Sequence, residues 1–392
     1  MSETSGEQGV TTGVLGGRWR ATVTPWGAVV PWDGSPTLDW HVAADDRWHS
    51  PGREAAVRQT RLDGTCVVET RLRVPDGDAV QRVWSVPDAG GLTLIEIENS
   101  SPLPIAVAFT HGRVLSVRPA TAPIEGISLP VGSIAFPVGH HATLLVALPH
   151  TLAAPGSLPG GLPTRASVVR GWTATVERAS RILTPDPRWN ERVVAERCEL
   201  ALAGPAHPDD DPVGFLIGLG QLVRMGERDV DGWAPDLAHA LELAGKSAVR
   251  GPGGDDWAFE AAVDAADAVL DSMGDQRARR DLATLRAHVS GPRVVGSTTR
   301  AAALPDDEPV DGARFLAWIE RRIVLPSGVG ADRTADLLSL GYTGVPGVPD
   351  GWLGANFEAY GLPTGTGSTV SVAVRWHGTY PALLWEQTGE PV

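Results

Sequence analysis

The sequence predicts an α+β chain of several domains, with an N-terminal antiparallel β-sandwich, a short α/α hairpin array and a C-terminal β-hairpin element. The period of its hydrophobic residues predicts this order. Apolar residues alternate with a period of two up to about residue 176, and the period becomes 3.6 after the proline-rich stretch 183–187. From residue 357 it returns to two. The expected segments are a disordered N-terminus at 1–16, a sandwich at 17–184, a helical domain at 185–341 and a β element at 342–392.

Short alternating runs bounded by turn residues predict the strands of the sandwich. They span 18–24, 65–74, 79–86, 92–98, 105–110, 143–147 and 165–176. Asp76-Gly77 and Gly90-Gly91 separate neighbouring runs so closely that antiparallel hairpins follow. The stretch 149–163 has no periodicity and is expected to be a surface loop.

Amphipathic periodicity predicts about six helices in the middle of the chain. They span 189–203, 212–226, 233–246, 256–273, 276–289 and 310–324, and 332–340 is a candidate for a short additional helix. Asp211 before Pro212 is typical of an N-cap followed by proline at the first helical position.

The C-terminal strands are expected at 357–361, 369–376 and 382–385. Alternation at Val370, Val372 and Val374 indicates one buried face. An isolated hairpin is only marginally stable, so Trp376 and Trp385 are expected to pack inward and anchor it.

Composition excludes several classes of partner. The formal net charge of −14 repels phosphate backbones and anionic lipid headgroups, so neither nucleic acid nor a membrane is expected to bind. The cysteines, Cys66 and Cys198, lie in different predicted domains and indicate neither a disulfide framework nor a metal cluster. With no apolar targeting segment in the sequence, a cytoplasmic location is expected. No cofactor is expected.

Two parts of the chain resemble a known family. The segment 336–352, which contains Pro349 and Trp352, with 358–363 and the strand ending at Trp376, resembles the C-terminal β element of six-hairpin glycosidases of glucoamylase, fucosidase and rhamnosidase type. The stretch 94–109 is similar to the β-sandwich that precedes the helical barrel in such enzymes. The resemblance implies a carbohydrate-associated protein with a truncated helical region, because the family's (α/α)6 barrel needs about twice the helices found here.

Candidate catalytic residues are Asp256 and Glu260, which are four residues apart and share one helix face. Glycosidases use two carboxyl groups, one on each side of the scissile bond. The alternative is structural, because acids at a helix start cap free N–H groups and are stabilised by the helix dipole.

Candidate substrate-binding residues are Trp233, Trp257 and Asp236, near the same helix N-termini. A tryptophan ring can stack on a sugar, although a scattered tryptophan is more often a core residue. No metal site is expected: Asp209 to Asp211 is interpreted as a helix cap, and the adjacent His140 and His141 point to opposite faces of a strand.

Two functions follow from these features. The first is a glycosidase-like protein that handles an oligosaccharide, with catalysis weak, altered or lost. The second is a non-catalytic interaction module on the same scaffold, with a protein partner or a second copy as its ligand.

Overall fold

A computed structural model describes residues 9–111, 113–120, 129, 131–151, 157–250, 256–290, 304–305, 307–324, 350–352, 354–365, 367–378 and 380–389. The α+β class is confirmed. The chain divides into an N-terminal unit, Met1–Thr173 with Ala201–Ala203, and a C-terminal unit, Ala174–Leu200 with Gly204–Val392. The candidate helix at 332–340 and residues 336–349 of the family resemblance lie outside the described residues.

The N-terminal unit contains three antiparallel sheets in its described part. The strands, in chain order, are β1 (Val10–Gly13), β2 (Arg20–Val23), β3 (Val29–Pro31), β4 (Trp40–Ala43), β5 (Trp48–His49), β6 (Val57–Arg61), β7 (Val68–Val74), β8 (Gly77–Val86), β9 (Leu92–Asn99), β10 (Ile105–Phe109), β11 (Leu115–Ser116), β12 (Ile134–Val138) and β13 (Thr143–Pro149). The sheet orders are β1-β2-β3, β12-β10-β4-β5 and β11-β13-β9-β8-β7-β6.

The sandwich core lies between alternating residues of the four-stranded and six-stranded sheets. Trp40 and Phe109 come from the first, and Leu72, Ile95 and Val146 from the second, and all are buried. Alternate residues on each strand therefore form the core, as the period of two predicts.

Two predictions about this unit are wrong. Residues 9–16 are not disordered, because Val10–Gly13 pairs with β2 as strand β1; residues 1–8 lie outside the described part. The run 165–176 is not a strand but helix α1 (Arg165–Val176). Its β-branched valines and threonines favour a strand, but Val169, Trp172 and Val176 recur at helical spacing and are buried.

Six further α-helices follow in the part of the chain that the structure describes. They are α2 (Pro187–Ala203), α3 (Pro212–Met225), α4 (Ala234–Arg250), α5 (Asp256–Ser272), α6 (Gln276–Ser290) and α7 (Gly312–Ile323). Asp186, Asp211 and Asp311 cap α2, α3 and α7 by accepting backbone N–H bonds, and proline begins α2 and α3. The predicted Asp211 cap is confirmed. Among the described residues, no helix combines the length and apolar character that crossing a membrane requires.

The C-terminal sheet shares its core with these helices. Its order is β14 (Arg181–Leu183), β15 (Phe357–Gly365), β16 (Ser368–His377) and β17 (Tyr380–Gly389). Val370, Val372 and Val374 are buried in the helical core, which confirms the predicted face. Trp376 is half-buried against that core, but Trp385 is 64% exposed, so the prediction that both pack inward is wrong for Trp385.

A buried ionic network joins α2, α3 and α7. The Glu320 carboxylate accepts hydrogen bonds from Arg197 at 2.8 Å, Arg224 at 2.7 Å, Ser180 at 2.9 Å and Gln221 at 3.3 Å. Burial raises the pKa of Glu320, but the two arginine cations outweigh it and hold that pKa below its ordinary value. The carboxylate is therefore charged, and it stabilises the arrangement of three helices.

Candidate functional site

The aromatic residue at the predicted site, Trp257, is in the core. It is 3% exposed and lies in the C-terminal unit's hydrophobic cluster with Phe259 and Phe215. A stacking platform needs a ring face open to the ligand. Trp257 presents no such face, because its ring is buried in the core. The spacing that predicts an amphipathic helix also places this ring on the buried side of α5.

Of the predicted carboxylate pair, the structure describes the side chain of Glu260. Asp256 is the first residue of α5, and its side chain lies outside the described part of the chain. Glu260 is half-buried and forms an ion pair with Arg286 at 3.3 Å. Arg286 also binds Asp264, which in turn binds Arg321 of α7. Glu260 thus belongs to an ionic cluster that joins α5, α6 and α7.

The other two predicted residues lie against the core and on the surface, respectively. Trp233 is half-buried, with its ring centroid 5.9 Å from that of Phe215, and packs on the core of the C-terminal unit. Asp236 lies in the first turn of α4 and is exposed. The described residues contain no group of three His, Cys, Asp or Glu side chains that could hold a metal ion.

The N-terminal unit has a cleft with a volume of about 240 Å³ at the ends of its strands. Its polar and aromatic lining residues are Trp19, Asp33, Ser35, His111, Arg113, His150 and Thr151. They come from four separate places: just before β2, after β3, after β10 and after β13. The β2–β3 register pairs Ala21 with Pro31, and two residues further along it brings Trp19 opposite Asp33.

An aromatic wall forms one side of the cleft. The rings of Trp19 and His150 stack with centroids 3.9 Å apart and planes 9° from parallel. The His150 amide donates to the carbonyl of Gly91 at 3.0 Å. A Cβ on Gly91 would lie 2.3 Å from His150 Nδ1, and Gly91 has a φ of +101°, so glycine is required at that position.

A chain of buried hydroxyls fixes the orientation of His150. His150 Nε2 lies 2.9 Å from Thr93 Oγ1, which lies 2.9 Å from Ser85 Oγ, which lies 3.0 Å from Thr12 Oγ1. Burial, with the nearby Arg20 cation, lowers the pKa of His150 to about 4. The imidazole is therefore neutral at physiological pH and forms a rigid, uncharged surface.

The cleft also contains charged side chains. Asp33 Oδ1 accepts a hydrogen bond from the Ser35 amide at 2.9 Å, which with the Ser35 hydroxyl and the Arg113 cation lowers the pKa of Asp33. Burial lowers the pKa of His111, so this ring is also neutral at pH 7. The cleft therefore combines one anion, one cation and two neutral imidazoles.

These groups suit binding better than hydrolysis. A glycosidase needs one protonated and one ionised carboxyl group across the substrate. Asp33 is the one carboxylate among the described residues that line the cleft, and its lowered pKa keeps it ionised. An ionised carboxylate and a guanidinium can accept from and donate to neighbouring hydroxyl groups.

A serine–histidine contact lies outside this cleft. His41 Nδ1 is 3.0 Å from Ser50 Oγ, across the β4–β5 pair. Burial lowers the pKa of His41 and raises that of Asp39, which stands two residues before it. None of the three lines the cleft. No nucleophile motif surrounds Ser50 in the sequence, and the contact is the cross-strand pairing expected of adjacent strands.

Sequence reasoning missed the cleft because its residues are distant along the chain. Trp19 and His150 are separated by the whole sandwich, and no local motif joins them. No protein-family model matches the chain, and no curated protein matches it in sequence. The resemblance to six-hairpin glycosidases therefore stays a prediction.

Proposed function

We propose that the protein binds a small carbohydrate in the cleft of the N-terminal unit and does not hydrolyse it. One observation carries the proposal: the stacked rings of Trp19 and His150 lie in the same cleft as Asp33 and Arg113. A sugar ring has an apolar C–H face and a rim of hydroxyl groups. A flat aromatic wall and a small set of polar groups are complementary to those two features.

The size of the cleft restricts the ligand. Pockets for drug-sized ligands are about 300–1,000 Å³, and this cleft is smaller, at about 240 Å³. It suits a single sugar ring, either free or as the end of a longer chain. The glycosidase-like resemblance of 94–109, which lies in the same unit, supports a carbohydrate as the ligand class.

The cleft supports binding without turnover. With Asp33 ionised and no second carboxylate among its described lining residues, the cleft lacks a general acid. We also propose a cytoplasmic location, which is supported by Cys66 and Cys198 being buried and outside any disulfide.

Isothermal titration calorimetry with a panel of monosaccharides and oligosaccharides tests the proposal. We expect saturable binding to the wild type and at least roughly fivefold weaker binding to Trp19→Ala, because an aromatic contact contributes about 0.5–1.5 kcal/mol beyond its buried area. Asp33→Asn should weaken binding too, because a neutral amide accepts weaker hydrogen bonds than a carboxylate. None of the variants should release reducing sugar.

Trp32→Ala is the matched control. Trp32 is adjacent to Asp33 in sequence and 50% exposed, but it does not line the cleft. It should therefore bind as the wild type does. No binding to any glycan in the panel, or equal losses in Trp19→Ala and Trp32→Ala, would reject the proposed site.

A further inference from the structure

The last strand of the C-terminal sheet exposes an apolar edge. In the described residues, β17 pairs with β16 on one side and with no strand on the other. Tyr380 is 78% exposed, Leu384 65% and Trp385 64%. These three residues lie within one strand of ten residues. Tyr380 and Leu384 share one face of the sheet and Trp385 lies on the other, so exposed apolar side chains flank the outer backbone edge on both faces.

The β16–β17 register assigns these side chains to faces. Trp385 is opposite Val372, and Leu383 is opposite Val374, so both lie on the face whose valines are buried in the core. Leu384 is opposite Ala373 on the other face. Trp385 thus lies on the core side of the sheet and yet remains exposed, whereas Leu383 on the same face packs against the core.

This edge lacks the usual protection against pairing. Natural edge strands carry lysine or other charges, bulges or proline, which prevent a second chain from adding to the sheet. Between Tyr380 and Gly389 the only charged side chain is Glu386, and the one proline is at the start, at Pro381. The β16–β17 register runs through ten consecutive pairs from Ser368–Gly389 to His377–Tyr380. The outer edge is therefore long, regular and nearly uncharged.

We propose that β17 pairs antiparallel with β17 of a second copy of this chain, forming a symmetric dimer with a continuous sheet. Symmetry about an axis perpendicular to the sheet keeps each residue on its own face, so a residue pairs with one of the same face. Leu384 then lies on the axis opposite its own copy. Leu383 pairs with Trp385, and Ala382 pairs with Glu386.

This register is complementary in charge and polarity. It places apolar residues opposite apolar residues at the centre of the strand, and it places the two Glu386 carboxylates opposite alanines and not opposite each other. Like charges directly opposite each other destabilise a strand pair. The low charge of β17 also matters because each copy carries a formal net charge of −14, which opposes association of two copies.

The buried area agrees with a weak dimer. A covered aromatic side chain buries about 150–250 Å², so the exposed parts of Tyr380 and Trp385 offer at most roughly 200–350 Å² per copy. Leu384 and the backbone edge bring two copies to roughly the 1,000 Å² that a specific interface requires. The association is therefore reversible and dependent on concentration. It is independent of sugar binding, which involves the other unit.

Sedimentation equilibrium of the full chain over a wide concentration range tests this inference. The wild type should show a monomer–dimer equilibrium, and Leu384→Lys, which puts two cations opposite each other on the axis, should raise the dimer dissociation constant on the order of tenfold or more. Val117→Lys is the matched control, because Val117 is 71% exposed in the other unit. It should dimerise as the wild type does, and circular dichroism should show that both variants are folded.

Disulfide trapping tests the register by the formation of a covalent dimer, and not by the loss of dimerisation in a variant. Directly opposite residues in a strand pair have Cβ atoms about 4.5–5.5 Å apart, so Leu384→Cys should give a covalent dimer under mild oxidation. Cys66 and Cys198 are buried, and Val117→Cys serves as the control for covalent dimers that do not depend on the β17 register. A wild type that is monomeric at all concentrations would overturn the proposal. The proposal would also be overturned if Leu384→Cys formed the covalent dimer no faster than Val117→Cys. It would be overturned as well if the chain were monomeric and its β17 paired with a different protein.

Discussion

Replacing Glu320 with alanine removes the anion at the centre of the buried network in the C-terminal unit. Arg197, which is 1% exposed, would then keep its charge in the core without a counterion, while Arg224 could turn its partly exposed guanidinium to solvent. Breaking a buried ion pair by removing one partner costs about 3–5 kcal/mol. For a unit of this size, each kcal/mol lowers Tm by about 2–4 °C. We therefore expect Tm of this unit to fall by roughly 10 °C.

A double-mutant cycle separates the interaction energy of the Arg197–Glu320 pair from the cost of replacing each residue alone. Arg197→Met combined with Glu320→Met should cost much less than either single change, because apolar residues of similar length fill the space without leaving a charge. Urea unfolding followed by tryptophan fluorescence measures each free energy of unfolding. Glu242→Ala is the control, because it removes an exposed ion pair with Lys246 and should leave Tm unchanged. Additive costs for the Arg197 and Glu320 changes would refute the reasoning.

Three other outcomes follow from the structure. Asp211→Ala should lower the free energy of unfolding, measured by urea unfolding, by about 2 kcal/mol, because Asp211 caps α3 and also binds Arg314 through both oxygens at 2.5 and 2.8 Å. Asp211→Asn should retain part of the cap. The pKa of His150 is lowered from 6.5 to about 4 on folding, so His150 contributes up to about 3 kcal/mol to the free energy of unfolding. That contribution is fully present above pH 6.5 and is lost as the pH falls towards 4. His150→Gln should abolish this part of the pH dependence of stability. Trp376→Ala should destabilise by about 3 kcal/mol and Trp385→Ala by much less, because the first ring is half-buried and the second is exposed; equal shifts in thermal melts would contradict this.

The layers of the fold could be predicted because local patterns determine them. The change of period after 183–187 separates sheets from helices, and Asp211 before Pro212 marks the start of α3. The alternation from Val370 to Val374 identifies the buried face of β16. The run 165–176 was misread because its β-branched residues favour a strand locally, whereas burial of Trp172 at helical spacing decides its structure.

The candidate site could not be predicted, because contacts between distant residues form it. Acids beside tryptophan in the sequence suggested a site at Trp257, but helix geometry turns that ring into the core. The stacking of Trp19 on His150 depends on how β2 and β13 end, which no short pattern records. The exposure of Trp385 depends on what packs beneath β17, which the local sequence does not record.

The most direct test of carbohydrate binding in the cleft is an NMR titration of the chain carrying 15N-labelled tryptophan indoles. Trp19→Phe assigns the Trp19 signal, and Trp257→Phe assigns that of the core ring. The same glycan panel is added to each sample. A binding sugar should shift the Trp19 indole resonance saturably and leave the Trp257 resonance in place. Shifts at Trp257 and not at Trp19, or no shift with any glycan, would contradict the account.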